Sequence, residues 1–336
     1  MRPAPSRSRG IYVSGEEERM MGPTVKASRM AIERGSYKYP PVILDLANAP
    51  KRLYMLGNPE ALQGPAIAIV GTRRPTPYGI ALTELAAKLA VEAGITVVSG
   101  GAIGCDQAAG MKALACGGVH VVVLGCGADV IYPSSSRKLI DKTLDAGGAV
   151  VSIAPWGTKP QRFLFPQRNR VIAALSEAVF IGEAGMPSGT FSTAEAAMEL
   201  GREVLVAPGS VFSPESRGAN YLISVGACCI TDEESLEIAL SRIFGVLRHP
   251  HEPLREVESA DPREQRVLRA LAASPMRSED IARLAGLDAR GCLEFLSDLM
   301  VSGRIEQLID GRYALTKEVL HAMTAIGQNE GSSNQR

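Results

Sequence analysis

Residues 66–79 read AIAIVGTRRPTPYG, and this stretch decides the fold. Five consecutive apolar residues at 66–70 predict a strand buried on both faces, and the Gly, Thr and Arg pair after it predict a loop at its end. Further along the chain, short β-branched runs alternate with helical segments, which is typical of a parallel sheet covered by helices. We therefore expect an α/β protein with an extended Rossmann-like, doubly wound and mainly parallel sheet. The predicted strands are 66–70, 95–98, 119–124, 149–151, 178–181, 204–206 and 228–230.

The composition limits the class of protein before any motif is considered. The 336 residues suggest about two domains, and 46% hydrophobic residues can fill a core. There is no signal-peptide pattern and no apolar run of about 18 residues that would span a bilayer, so no membrane association is expected. The six cysteines lack zinc-ligand spacing and indicate a reducing, cytoplasmic location. We predict no metal and no cofactor.

The net charge is zero, with 36 basic and 36 acidic residues. A neutral total gives no overall field that attracts a polyanion, so such a site requires local segregation of charge. Asp and Glu are absent from residues 64–83 and 146–176. These two segments are therefore the places where an anion site is expected.

Changes in composition predict the domain boundaries. The Pro-rich, charged stretch RHPHEPLREVESADP indicates a linker, and the last residues are polar. The prediction is a flexible basic arm at 1–38, a Rossmann-like domain at 39–245, a linker at 246–262, a winged-helix-like domain at 263–318 and a disordered tail at 319–336.

The second domain is predicted to contain three helices. The first spans 263–272, the second begins after Ser278 as its N-cap residue, and the third spans 288–301. A hairpin at 304–309 and 312–315 follows them, and it turns at Asp310 and Gly311. A third helix that reads duplex DNA should present basic or amide side chains to base edges. This one presents mainly acids, so we expect it to contact protein or to pack within the chain.

Three glycine-rich loops, at 71–79, 99–106 and 125–129, follow the first three predicted strands. Glycines allow backbone N–H groups to approach a phosphate, although each loop alone could simply be a tight turn. The third loop has Val130 where a dinucleotide fingerprint needs its third glycine, and no P-loop pattern exists. The three loops together with the Arg pair favour an anion site.

The acid-free segment at 146–176 combines cations with aromatic rings, as a single-stranded nucleic-acid groove requires. The aromatic residues could equally be core residues. Arg168 and Arg170 are expected to open a helix beside the crevice and to bind the ligand. One of Ser188 and Thr190 is expected to cap the next helix. The cations and rings are Lys159, Arg162, Arg168, Arg170, Trp156, Phe163 and Phe165.

Seven motifs occur in this order along the chain: IAIVGTRRPTPYG, VVSGGAIGCD, LGCGADVIYP, FPQRNRVIAALS, EAGMPSGTFSTAEAAMELGREV, APGS and SRGANYLISVGA. Together they resemble the DNA-processing protein A family (DprA, also called Smf) over about residues 39–318. The resemblance implies a homodimeric, non-enzymatic protein that binds and protects incoming single-stranded DNA. It also implies that the protein helps to load RecA recombinase in natural transformation, and that it carries a winged-helix domain.

The resemblance also implies a DNA-facing pocket, carried over by position. This chain departs from the family pattern at Gly101, Cys105, Gly110 and Ile153, where the family usually has Leu, Ile, His and Glu. The implied pocket residues are Gly71, Thr72, Arg73, Arg74, Ser99, Gly100, Gly101, Lys159, Arg168, Asn169, Arg170, Ser188, Gly189 and Thr190.

Two alternatives stay open at this point. Related Rossmann-like folds include nucleotide-binding sensors and phosphoribohydrolases, and the hydrolases resemble one another in a Gly-Gly-x-Gly-Thr-x-x-Glu motif. Thr193 stands where that Glu belongs, and Glu183 and Glu195 are the nearby acids. The second alternative is an assembly scaffold that has lost its ligand.

Overall fold

A computed structural model describes residues 29–246 and 261–324. Its centre is a nine-stranded sheet in the order β1-β2-β6-β5-β4-β3-β7-β8-β9. Strands β3 to β9 are parallel, whereas β1 and β2 are antiparallel to their neighbours. The predicted doubly wound, mainly parallel sheet is confirmed. The strands are β1 Arg29–Glu33, β2 Arg52–Gly57, β3 Ala66–Val70, β4 Thr96–Ser99, β5 His120–Leu124, β6 Ala149–Ser152, β7 Ala178–Ile181, β8 Glu203–Val206 and β9 Cys228–Cys229.

Helices cover both faces of the sheet. Successive residues of β3 point to opposite sides, so that Ile67 and Ile69 pack in one apolar cluster with α1, α2 and α7. Ala68 and Val70 pack in the other cluster with α4 and α5. The helices are α1 Pro77–Glu92, α2 Cys105–Ala115, α3 Arg137–Asp145, α4 Leu164–Ala174, α5 Phe191–Glu199, α6 Arg217–Ser224 and α7 Glu233–Phe244, with short 3₁₀ turns at Pro41–Asp45, Pro59–Leu62, Ser134–Ser136 and Pro214–Ser216.

The first strand corrects the predicted boundary of the arm. Residues 29–33 pair with β2 in register from Arg29 opposite Leu56 to Glu33 opposite Arg52, and Ile32 is buried. The prediction of an arm to residue 38 is therefore wrong for 29–38, while residues 1–28 lie outside the described residues. One buried side chain in a five-residue edge strand is too weak a pattern to separate from coil.

The second domain contains the three predicted helices and the hairpin, with a core of its own. Two details differ from the prediction. The N-cap residue of the second helix is Arg277, not Ser278, and it makes no side-chain capping bond. Residues 319–324 continue a helix instead of forming a tail. The predicted linker lies mostly outside the described residues. The elements are α8 Pro262–Ala273, α9 Ser278–Ala285, α10 Ala289–Val301, β10 Ile305–Gln307, β11 Tyr313–Leu315 and α11 Lys317–Thr324.

The winged-helix domain contacts the Rossmann-like domain through two ion pairs. Arg312 Nη2 lies 2.7 Å from Glu215 Oε1, and Lys317 Nζ lies 3.4 Å from Glu84 Oε1 on α1. No helix in the described part of the chain is long and apolar enough to cross a bilayer.

Candidate functional site

A cavity of about 530 Å³ opens at the carboxyl edge of the parallel strands. The loops after β3, β4 and β7 surround it together with α4. This is the place where doubly wound folds bind their ligands. Part of the predicted pocket meets here: Gly71, Thr72, Arg73, Arg168, Asn169, Ser188, Gly189 and Thr190 all line the cavity.

The floor of the cavity, defined here as Arg168 and Asp106, consists of buried charges. Arg168 is only 5% exposed, and its Nη1 donates to the carbonyl oxygens of Gly100 at 2.6 Å and of Val123 at 2.8 Å. Asp106 is 6% exposed, and its Oδ2 accepts from the Gly100 N–H at 2.9 Å. Burial raises the pKa of Asp106, while the Arg168 charge opposes that rise. The floor therefore holds the ends of β4 and β5 together.

The position of Arg168 corrects one prediction. The helix begins at Leu164, so Arg168 lies in its second turn and does not open it. In the described residues, Arg168 Nε has no hydrogen-bond partner. The side chain lies at the base of the cavity and is mostly used in holding the backbone.

In the glycine loop after β4, Ala102 lines the cavity, whereas Ser99, Gly100 and Gly101 support the floor and do not line it. A side chain on Gly100 would overlap the Arg168 guanidinium, so only glycine fits there. Gly101 is buried and has a φ of 67°, in the left-handed region that favours glycine. Ser99 is fully buried, with its Oγ 3.0 Å from His120 Nε2. Because Ser99, Gly100 and Gly101 do not line the cavity, they can affect DNA binding only by supporting the residues that do.

The structure gives a reason for one of the departures and describes the surroundings of a second. A side chain at Gly110 would overlap the His120 ring, which occupies that space, and burial lowers the pKa of His120 to about 3. His120 is therefore neutral. Cys105 lies against Gly71, and burial raises the pKa of its thiol to about 12, so the thiol is unreactive.

The rim of the cavity, defined here as Arg73 and Arg162, carries exposed charges. Within residues 29–246 and 261–324, no carboxylate pairs with either guanidinium. Phe165 also lines the cavity and is half-buried, with the Arg168 Cζ 5.9 Å from its ring centroid. Arg162 is not among the predicted site residues, although it lines the cavity. Its place in the acid-free segment at 146–176 is the sequence signal that identifies it.

Polar groups at the start of α5 complete the cavity. Asn169 Nδ2 donates to Ser192 Oγ at 2.7 Å, and Ser192 Oγ donates to the Gly189 carbonyl at 2.9 Å. Thr190 is the N-cap residue, but its side chain makes no capping bond, so neither hydroxyl caps the helix as expected. Instead, the Thr190 N–H donates to Ser188 Oγ at 3.2 Å. These hydroxyl and amide groups can contact phosphate oxygens.

Other residues of the predicted pocket lie elsewhere. Arg170 pairs with Glu199 at 2.9 Å on the opposite face of α4. Arg74 and Lys159 are exposed but do not line the cavity. Trp156 packs edge-on against Tyr54, with 5.3 Å between ring centroids.

The two acids considered for hydrolysis are also outside the cavity lining. Glu183 is 3% exposed and accepts from Thr76 N–H at 2.7 Å and Thr76 Oγ1 at 2.8 Å, at the N-terminus of α1. Burial raises its pKa to about 7. Glu195 is exposed on α5. Among the described residues, Asp106 is the one carboxylate that lines the cavity, and no His, Cys, Asp and Glu cluster could hold a metal ion.

The fold and the cavity define a Rossmann-like protein with an open, cationic site at the sheet edge. A family model described as DNA recombination-mediator protein A matches residues 30–241, and one described as DprA winged helix domain matches residues 251–311. The chain belongs to this DprA/Smf family, as its motifs predicted.

Similar proteins agree with this assignment. Protein Smf of Escherichia coli (strain K12) is 37% identical over 226 residues, which is 67% of this chain and 60% of the relative. DNA processing protein A from Streptococcus pneumoniae has a TM-score of 0.58 at 36% identity, covering 62% of this chain and 72% of that chain. DNA processing protein A from Helicobacter pylori, whose structure shows a single-stranded DNA binding mode, has a TM-score of 0.59 at 31% identity. The match covers 66% of this chain and 99% of that chain.

Proposed function

We propose that the cavity binds single-stranded DNA and that the rim contacts its phosphates. The observation that carries the proposal is the pair of exposed arginines, Arg73 and Arg162, that no carboxylate neutralises in the described part of the chain. The negative charge of the buried Asp106 offsets the positive charge of the buried Arg168. The net charge of the cavity is therefore set by the two arginines of the rim. A positive rim concentrates a polyanion.

The remaining lining suits a flexible strand better than a compact metabolite. Phe165 presents a half-buried ring on which a base can stack, a contact worth about 1 to 3 kcal/mol. The amide and hydroxyl groups of Asn169 and Ser192 can bind phosphate without selecting a base. The binding is therefore expected to depend little on sequence.

The wider role follows from the family and from its relatives. The chain belongs to the DNA recombination-mediator protein A family, and the Helicobacter pylori relative binds single-stranded DNA. These two facts support a role as a mediator of recombination. The absence of catalysis and the cytoplasmic location stay predictions from the sequence. Protection of incoming DNA, loading of RecA in natural transformation and the homodimer stay predictions from the resemblance.

The test is fluorescence anisotropy of a labelled oligo-dT, titrated with the full chain over a salt series. The association constant should fall as the salt concentration rises. A plot of its logarithm against the logarithm of the salt concentration should have a slope of about −1.4 or steeper, as two phosphate contacts on a single strand require. Duplex of the same length should bind more weakly. Absence of binding, or binding that does not change with salt, would refute the proposal.

A nucleotide hydrolase on the same fold has a separate test. Neither Glu183 nor Glu195 lines the cavity, so the chain should release no free base from nucleoside monophosphates. Chromatography of the reaction mixture measures this directly. Base release that disappears in Glu183→Gln or Glu195→Gln would favour the enzyme instead.

A further inference from the structure

A second groove, of about 760 Å³, lies on the other side of α4 from the cavity. Lys51, Arg52 and Tyr54 line it from the start of β2, and Gln167 and Arg170 line it from α4. We call this surface the α4 groove. Its cations come from two segments more than a hundred residues apart in the chain, and the function proposed above uses none of them.

The cavity and the α4 groove open at the same edge of the sheet. Ile153 and Pro155, which follow β6, line the groove. Strand β2 runs antiparallel to β6, with Tyr54 opposite Ser152, so the start of β2 lies at the carboxyl end of β6. The cavity lies at the carboxyl ends of β3, β4 and β7. One ligand lying along that edge can therefore reach both.

The residues of α4 divide between the two sites by helical spacing. Arg168, Asn169 and Ile172 line the cavity, whereas Gln167 and Arg170 line the groove. At 100° per residue these sets fall on opposite faces of the helix. The helix thus separates two sites that both carry positive charge.

The charge of the α4 groove favours a polyanion. Lys51, Arg52 and Arg170 are exposed, and no Asp or Glu is among the described residues that line the groove. Arg52 pairs with Glu33, and Arg170 with Glu199, but both pairs are exposed to solvent. Exposed ion pairs contribute little net free energy, so phosphates can replace these carboxylates at little cost.

The groove also offers a flat surface for a base. The Arg52 guanidinium lies over the Tyr54 ring, with its Cζ 5.9 Å from the ring centroid. Arginine planes and aromatic rings both stack on bases without selecting among them. Alternating cations and flat groups are the combination that a single strand requires.

We propose that the α4 groove binds the continuation of the strand whose first part lies in the cavity. The proposal rests on the function proposed above. A helix is about 10 Å wide, so only a strand that extends beyond the cavity by about that distance reaches the groove. A short oligonucleotide can fill the cavity alone, whereas a longer one crosses α4 and gains the phosphate contacts of Lys51, Arg52 and Arg170.

The experiment compares oligo-dT of about 4 and about 12 nucleotides on the full chain and on the double variant Lys51→Ala/Arg170→Ala. The wild type should bind the longer probe more tightly. The variant should bind the longer probe about tenfold more weakly, with a salt slope reduced by about 1.4, and the shorter probe as before. Arg242→Ala, which removes an exposed arginine paired with Glu203 at 3.1 Å, is the matched control.

Gln167→Glu provides a second variant, since it places a negative charge in the groove without removing a cation. It should also weaken the longer probe selectively. The proposal for the α4 groove would be overturned if both variants bound the longer probe as tightly as the wild type does. It would also be overturned if the variants lost affinity equally for the short and the long probe. If the wild type binds neither probe, the function proposed for the cavity fails instead.

Discussion

Arg168 in the floor and Arg73 in the rim line the same cavity, yet their surroundings give them different tasks. Arg168 is 5% exposed and holds two backbone carbonyls beside the buried Asp106. Arg73 is exposed, and in the described part of the chain no carboxylate neutralises it. A buried guanidinium that holds protein partners stabilises the fold, whereas an exposed guanidinium is available to a ligand.

The difference can be measured because the two regions should respond on different scales. Removing one partner of a buried pair leaves an uncompensated charge and costs about 3 to 5 kcal/mol. Removing an exposed side chain usually changes the free energy of unfolding by less than about 0.5 kcal/mol. The ranking of variants by the free energy of unfolding therefore tests the assignment of floor and rim.

The largest effect is expected for Arg168→Ala. The variant loses the bonds to Gly100 and Val123 and leaves Asp106 buried without its counter-charge, so the free energy of unfolding should fall by about 3 to 5 kcal/mol. Urea denaturation measures the loss. If the variant is as stable as the wild type but binds DNA more weakly, Arg168 acts in DNA binding and not in stabilising the fold, which would contradict its assignment to the floor.

The second effect concerns Glu183, a buried acid at the start of α1. Burial raises its pKa from the ordinary 4.5 to about 7. The folded chain therefore holds a proton that the unfolded chain has lost, and stability falls as pH rises between these values. Above pH 7 the cost reaches roughly 3 kcal/mol.

Glu183→Gln should remove this cost, because the amide carries no charge to desolvate. The free energy of unfolding of the variant, relative to the wild type, should rise by roughly 3 kcal/mol between about pH 4 and about pH 8. Denaturation at the two pH values measures this difference. A difference that stays constant with pH would contradict a raised pKa at Glu183.

An intermediate effect is expected for Asn169→Ala, since Asn169 is half-buried between floor and rim. The variant loses the bond to Ser192 and should be destabilised by about 1 kcal/mol. It should also bind oligo-dT about fivefold more weakly, because the loop that starts α5 loses its support. Gln63→Ala, which removes a comparable bond to the Lys38 carbonyl far from the cavity, should leave binding unchanged.

The parallel core of the fold was predictable because its signal is local. The strand at 66–70 is apolar without interruption and was placed at its observed bounds, as was the strand at 178–181. Strand β1 carries one buried side chain and was missed. The helix at Lys317–Thr324 was assigned partly to a tail, although it packs on the Rossmann-like domain through Lys317.

The site was predictable as a set of segments but not as a set of contacts. The absence of acids from 146–176 indicated a cationic surface, and residues of that segment line both the cavity and the α4 groove. Arg168 and Arg170 are two residues apart, so a helix places them about 200° apart, but the sequence does not show which of the two faces the cavity. Burial depends on the strands around them.

The most direct test of the rim is the salt dependence of oligo-dT binding by Arg73→Ala/Arg162→Ala. We predict an unfolding free energy within about 0.5 kcal/mol of the wild type, at least about tenfold weaker binding, and a log–log salt slope smaller by about 1.4. The double variant Arg242→Ala/Arg283→Ala, which removes exposed arginines elsewhere, should match the wild type. A rim variant with unchanged affinity and unchanged slope would contradict the assignment.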